Sequence, residues 1–211
     1  MRIDVFSDVV CPWCYLGERR LAAALADIDG GGDVEVRWRA FQLDPTAPAE
    51  PRPLRPALER KYGPGSYEAM TARLGAAAPE VGIEYRFDLV QRVRSWDAMR
   101  LLAWTDQTEG PEAAEVLLAR LFEAYFTEGG NIADHGALAR WADETGLDAG
   151  LAAEALASDA GAQRVQEDLH AAAELGVSAV PTFVVDGAWA IPGAQEIVTM
   201  KALLSRALAR T

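Results

Sequence analysis

Ser7-Asp8-Val9-Val10-Cys11-Pro12-Trp13-Cys14-Tyr15-Leu16-Gly17 is the stretch on which the fold of this chain turns. It holds both cysteines of the sequence, with a proline directly after the first. Ahead of it, Ile3 to Phe6 reads as a short strand. Behind it, Leu21, Leu25 and Ile28 recur at i, i+4 and i+7, one face of a helix. The Cys-x-x-Cys therefore falls where a strand gives way to a helix. A helix start offers free N–H groups and the positive end of the peptide dipoles, which favour a thiolate. Residues i and i+3 are neighbours on a helix, so the two sulfurs can approach disulfide geometry. Pro12 suits the first helical position, where its missing N–H costs nothing. Cys14 lies seven residues before Leu21 on the same face. The spacing predicts an exposed, attacking Cys11 and a shielded, resolving Cys14.

Gly30-Gly31-Gly32 ends the first helix, and Val34, Val36, Trp38 and Ala40 alternate with Glu35, Arg37 and Arg39 as a half-buried strand does. Asp44 to Pro56 carries five prolines and reads as an exit loop that is neither helix nor central strand. A long helical block follows. Leu117, Leu121 and Ala124 mark one helix. Asp134 and Asp148 are placed to cap two more. Val165, Leu169 and Ala172 mark another, stopped by Gly176. Val180 to Val185 and Ala188 to Ile191 then flank Asp186-Gly187, a strong hairpin turn signal, before a last helix with Ile197, Leu203, Leu204 and Leu208. The order is βαβ, a helical block, then ββα. The end strands are expected to share one sheet, so that residues 1–44 and 170–211 form one discontinuous unit and 45–169 a helical insertion.

The balance of 20 basic against 32 acidic residues, net −12, lacks the basic footprint that nucleic acid requires and disfavours an anionic membrane surface. No run of about 18 apolar residues could span a bilayer. The start of the chain has neither the basic opening nor the apolar core of a signal peptide. A cytoplasmic location is expected, where thiols are kept reduced and a Cys-x-x-Cys is reactive or metal-binding rather than a staple. A zinc site would need further ligands. There is no second Cys-x-x-Cys, and His135 and His170 read as surface residues, so no metal is expected. Trp38, Trp96, Trp104 and Trp141 read as core. Trp13, between the cysteines, offers an apolar contact to a substrate. Val180-Pro181 opens a strand with a proline, a setting in which cis bonds occur in tight turns. A cis Val180–Pro181 is expected to turn the Val180 backbone groups outward, toward an extended partner.

Together these features resemble the DsbA-like thioredoxin-fold family, in particular its FrnE-type branch. That branch also includes the 2-hydroxychromene-2-carboxylate isomerases and the kappa-class glutathione transferases. The opening at Ser7 to Gly17, Tyr125-Phe126-Thr127-Glu128-Gly129, Val180-Pro181-Thr182-Phe183 and Gly193-Ala194-Gln195 carry the resemblance. It implies an α/β, thioredoxin-like fold with a large all-helical insertion. The implied activity is thiol–disulfide exchange, with Cys11 and Cys14 catalytic and Pro12, Trp13, Val180 and Pro181 meeting the substrate. No cofactor is implied beyond the redox-active disulfide, with glutathione as a candidate co-substrate. The partner would be a thiol- or disulfide-bearing protein or small molecule, and a homodimer is compatible with the pattern.

The chain departs from the branch at Arg94 and Met99, where an Asn and a His are usual; Met99 is more simply core filler. It keeps both cysteines, whereas the isomerases and transferases tend to carry a serine first. Redox chemistry is thereby favoured. A glutathione-dependent isomerase or transferase, and a non-redox client-binding module, are the alternatives.

Overall fold

A computed structural model describes residues 1–209. β1 (Arg2–Ser7) leads through a short loop into α1 (Pro12–Ala26), and β2 (Glu35–Ala40) returns parallel to β1. The helical block then comprises α2 (Leu54–Tyr62), α3 (Ser66–Ala77), α4 (Trp96–Thr108), α5 (Pro111–Phe126), α6 (His135–Glu144), α7 (Ala149–Ala157) and α8 (Ala162–Glu174). Within that block β3 (Arg52–Pro53) pairs antiparallel with β4 (Gln91–Arg92). The hairpin of β5 (Thr182–Val185) and β6 (Trp189–Pro192) precedes α9 (Ile197–Leu208). The main sheet runs β2-β1-β5-β6, so both ends of the chain build it, with β5 antiparallel to β1.

Strand alternation sorts the side chains. Ile3 and Val5 point to the face that α1 and α9 cover, where Leu21, Phe183, Val185, Met200 and Leu204 close a core. Phe6 and Val184 point to the other face, against Ala172 of α8. Each large apolar side chain buried this way contributes roughly 1.5–3 kcal/mol. The hairpin forms as its turn residues require. Asp186 and Gly187 both take positive φ, 48° and 66°, and the Ala188 N–H closes onto the Val185 carbonyl at 3.0 Å. Asp134 and Asp148 cap α6 and α7 through the Ala137 and Leu151 N–H groups, at 2.7 and 2.9 Å. Gly176, φ 68°, follows the end of α8.

Several expectations are corrected. Pro56 lies inside α2, not in a helix-free exit loop. It occupies the first turn, whose N–H groups have no intrahelical acceptor, so a proline is tolerated there. β2 forms as expected but lacks a clean inside–outside contrast, because it is an edge strand whose residues after Glu35 are all half-buried. Of the four tryptophans expected in the core, only Trp141 is buried; Trp38, Trp96 and Trp104 are half-buried at cluster margins. Helix α8 runs through residue 170 and packs on both α4 and β2.

Candidate functional site

Cys11 is the residue before the first helical position of α1 and Pro12 is that position, so the motif straddles the helix start as its spacing predicts. The loop ahead of it is held by Asp8. The Asp8 carbonyl accepts from the Cys11 N–H at 3.0 Å. Its carboxylate accepts from the Val10 N–H at 3.2 Å and, across the chain, from the Leu43 N–H at 2.8 Å. Burial pushes the Asp8 carboxyl up to about 6, against the lowering effect of the Ser95, Leu43 and Val10 hydrogen bonds.

Both sulfurs are free thiols, and both residues are buried. Cys14 is fully so, as expected. Cys11 is 3% exposed, which corrects the expectation of an open nucleophile. The cause is the loop before β5, far away in sequence. The Cys11 thiol donates to the Val180 carbonyl at 3.6 Å, so that carbonyl faces the sulfur and not outward. The Val180–Pro181 bond is cis, and Pro181 is buried. Burial pushes the Cys14 thiol well up, reinforced by its hydrogen bond with Cys11 and by the Cys11 charge. The Ser7 hydroxyl and the Asp8 backbone pull the other way. Burial thus favours the protonated form of Cys14.

Trp13 is half-buried, with the Arg73 guanidinium 5.4 Å above its ring. Pro12 and Val10 form one wall of a cleft of about 490 Å³. Leu43, Leu58, Phe87 and Phe126 contribute apolar lining, and exposed Arg60 and Lys61 add positive charge. Met99 is buried beside Val165, as expected of core filler. Arg94 is exposed and pairs with Asp97 at 3.1 Å. His135 is half-exposed 3.4 Å from the same Asp97, and His170 is exposed 3.3 Å from Glu174.

Two residues near the motif escaped the sequence reading. Gly17, on α1, is packed against the cis-proline loop, as its presence inside a helix could have signalled. Tyr85 donates its phenol hydrogen to the Pro12 carbonyl at 2.6 Å. No local pattern marks it, since the contact joins segments far apart in the chain. Arg20 adds a further tie from α1, donating to the Ala194 carbonyl at 2.9 Å and pairing with Glu80 at 2.6 Å.

A strand-to-helix dithiol beneath a cis-proline loop, on a four-stranded mixed sheet, defines a thioredoxin-fold protein of the DsbA type. The chain belongs to the DSBA-like thioredoxin domain family, whose pattern matches residues 2–205. It is similar to the uncharacterized protein YwbO of Bacillus subtilis (strain 168), 32% identical over 196 residues, 92% of this chain and 90% of that one. Among solved structures it is similar to the probable DsbA oxidoreductase SCO1869 from Streptomyces coelicolor, with TM-score 0.91, 33% identity, and 100% and 91% of the two chains covered. The cytosolic disulfide reductase DsbM from Pseudomonas aeruginosa shares the fold at TM-score 0.72 and 21% identity, each chain covered in full. A 2-hydroxychromene-2-carboxylate isomerase does so at TM-score 0.71 and 19% identity, covering 100% of this chain and 97% of that one. No helix among the described residues is long and apolar enough to cross a membrane.

Proposed function

We propose that the protein is a thiol–disulfide oxidoreductase working through the Cys11–Cys14 couple. The Cys11 thiolate attacks one sulfur of a substrate disulfide. That S–S bond breaks, and the departing sulfur takes a proton as a thiol. Cys14 then gives up its proton and attacks the Cys11 sulfur, releasing the second substrate thiol and leaving a Cys11–Cys14 disulfide. The substrate gains two electrons and the protein loses two; run backwards, the same steps oxidise a dithiol. The observation that carries this reading is the placement of Cys11 at the start of α1, 3.6 Å from the Val180 carbonyl, with protonated Cys14 directly behind it.

Pro12 starts the helix, Trp13 and the Val180–Pro181 loop flank the reacting sulfur, and the cleft beside Pro12 receives the substrate. Its apolar lining and the Arg60 and Lys61 charges suit an anionic thiol or disulfide, and glutathione is the candidate co-substrate. The location proposed is the cytoplasm. A glutathione-dependent isomerase is disfavoured by the retention of both thiols.

Equilibration with mixtures of reduced and oxidised glutathione, followed by alkylation and mass analysis, tests the proposal. The expected result is a reversible intramolecular Cys11–Cys14 disulfide that Cys11→Ser cannot form. Thiols that remain alkylatable at every glutathione ratio in folded protein would overturn it.

A further inference from the structure

We infer that Tyr85 is a positioning residue of the dithiol site, acting through the Pro12–Trp13 peptide group to stabilise negative charge on the Cys11 sulfur. This rests on the proposed dithiol chemistry and extends it to a residue outside the motif.

The Tyr85 phenol donates to the Pro12 carbonyl at 2.6 Å. That carbonyl and the Trp13 N–H are two ends of one peptide group. A hydrogen bond onto the oxygen polarises the group and makes its N–H a better donor. Trp13 is the second residue of α1, where an N–H lacks an intrahelical partner. The Cys14 N–H already bonds the Cys11 carbonyl at 3.0 Å. Cys11 holds the N-cap position, and a side chain there accepts from the second or third N–H of the helix. The Trp13 N–H is therefore the donor open to an ionised Cys11 sulfur. In the thiol form that sulfur is a donor, bonded to the Val180 carbonyl instead.

The phenol is held for this task. The Tyr85 ring stacks on Phe87 at 4.9 Å and meets Tyr15 and Phe126 edge-on at 5.9 and 5.6 Å. Burial, with the Tyr15, Cys11 and Cys14 charges, pushes its ionisation far up, so it remains a donor throughout the physiological range. Two other phenols of the block point elsewhere: Tyr67 bonds the Phe87 carbonyl at 2.9 Å, and Tyr125 the Gln91 carbonyl at 2.6 Å.

The test is the reduction potential of the Cys11–Cys14 couple in wild type, Tyr85→Phe and Tyr67→Phe, measured against glutathione. Phenylalanine keeps the ring packing and removes only the donor. Loss of thiolate stabilisation disfavours the reduced form wherever Cys11 is ionised, so in alkaline buffer, with Cys11 as thiolate, Tyr85→Phe should shift the equilibrium roughly threefold toward disulfide. That lowers the potential by about 14 mV, at about 29.6 mV per tenfold. Tyr67→Phe, which loosens the same segment without touching Pro12, should leave the potential at the wild-type value. As a second measurement, 3-fluorotyrosine, a stronger donor, incorporated throughout should raise the potential of wild type but not of Tyr85→Phe. An unchanged potential in Tyr85→Phe, or an equal change in Tyr67→Phe, overturns the inference while leaving the dithiol reading intact. A wild-type protein with no reversible couple overturns both.

Discussion

Gly17 lies against Pro181 so closely that a Cβ at position 17 would meet Pro181 Cγ at 2.9 Å, with Phe183 Cζ at 3.3 Å behind it. The absence of a side chain on α1 is what lets the proline loop settle over the helix start and bring the Val180 carbonyl to Cys11. In an unconstrained helix, glycine to alanine gains up to about 1 kcal/mol. Here the contact should reverse the sign. Gly17→Ala is expected to lower stability in urea by about 1–3 kcal/mol, as overpacking does, and to slow disulfide exchange. A stabilised Gly17→Ala with wild-type exchange would show that the loop is not seated on this glycine.

Glu18 gives the fold a pH dependence of its own. It is buried on α1, and desolvation, reinforced by Glu115, pushes its carboxyl up to about 7 despite the lowering effect of Arg19. In the unfolded chain it titrates near an ordinary glutamate value of about 4.3. Between these values the folded state holds a proton that the unfolded state has lost. Glu18 therefore supports the fold fully below the unfolded value, and that support fades as pH rises through about 7. Glu18→Gln keeps the shape without the charge. It should flatten the stability profile across that window and exceed wild type above it by on the order of 2 kcal/mol. Denaturant midpoints across the pH range check this, and parallel profiles for the two proteins would contradict it.

The cleft beside Pro12 carries its own consequence. If Arg60 and Lys61 attract an anionic disulfide, the double substitution Arg60→Gln, Lys61→Gln should raise KM for glutathione disulfide roughly fivefold with little change in kcat, as the loss of exposed charge contacts does. The difference should shrink as salt is added. An unchanged KM at low ionic strength would place the substrate elsewhere.

What the sequence disclosed was local. Pro12 at the helix start, the aspartate caps at Asp134 and Asp148 and the Asp186-Gly187 turn each follow from a few neighbouring residues, and each stands where the pattern put it. That one sheet draws on both ends of the chain followed because both ends carried strands, whereas its order β2-β1-β5-β6 did not. What stayed hidden depends on partners distant in sequence. Cys11 is buried because Val180 closes over it, and nothing beside Cys11 says so. The Tyr85–Pro12 bond joins positions 73 residues apart, with no periodicity to betray it. The tryptophans Trp38, Trp96 and Trp104 sit in periodic segments, but periodicity reports a face, not how completely a neighbour covers it. Prolines exclude a helix only in its interior, and Pro56 falls in the first turn of α2, which accepts it.

The reading of Cys11 and Cys14 as attacking and resolving thiols is tested most directly by trapping. Cys14→Ser protein, reduced and then mixed with oxidised glutathione, should accumulate a stable mixed disulfide, and peptide mass mapping should place the glutathione on Cys11. Wild type treated in the same way should pass through that adduct to the internal disulfide. A folded Cys14→Ser protein whose Cys11 stays unmodified, while Cys11→Ser protein accumulates glutathione on Cys14, would contradict the assignment.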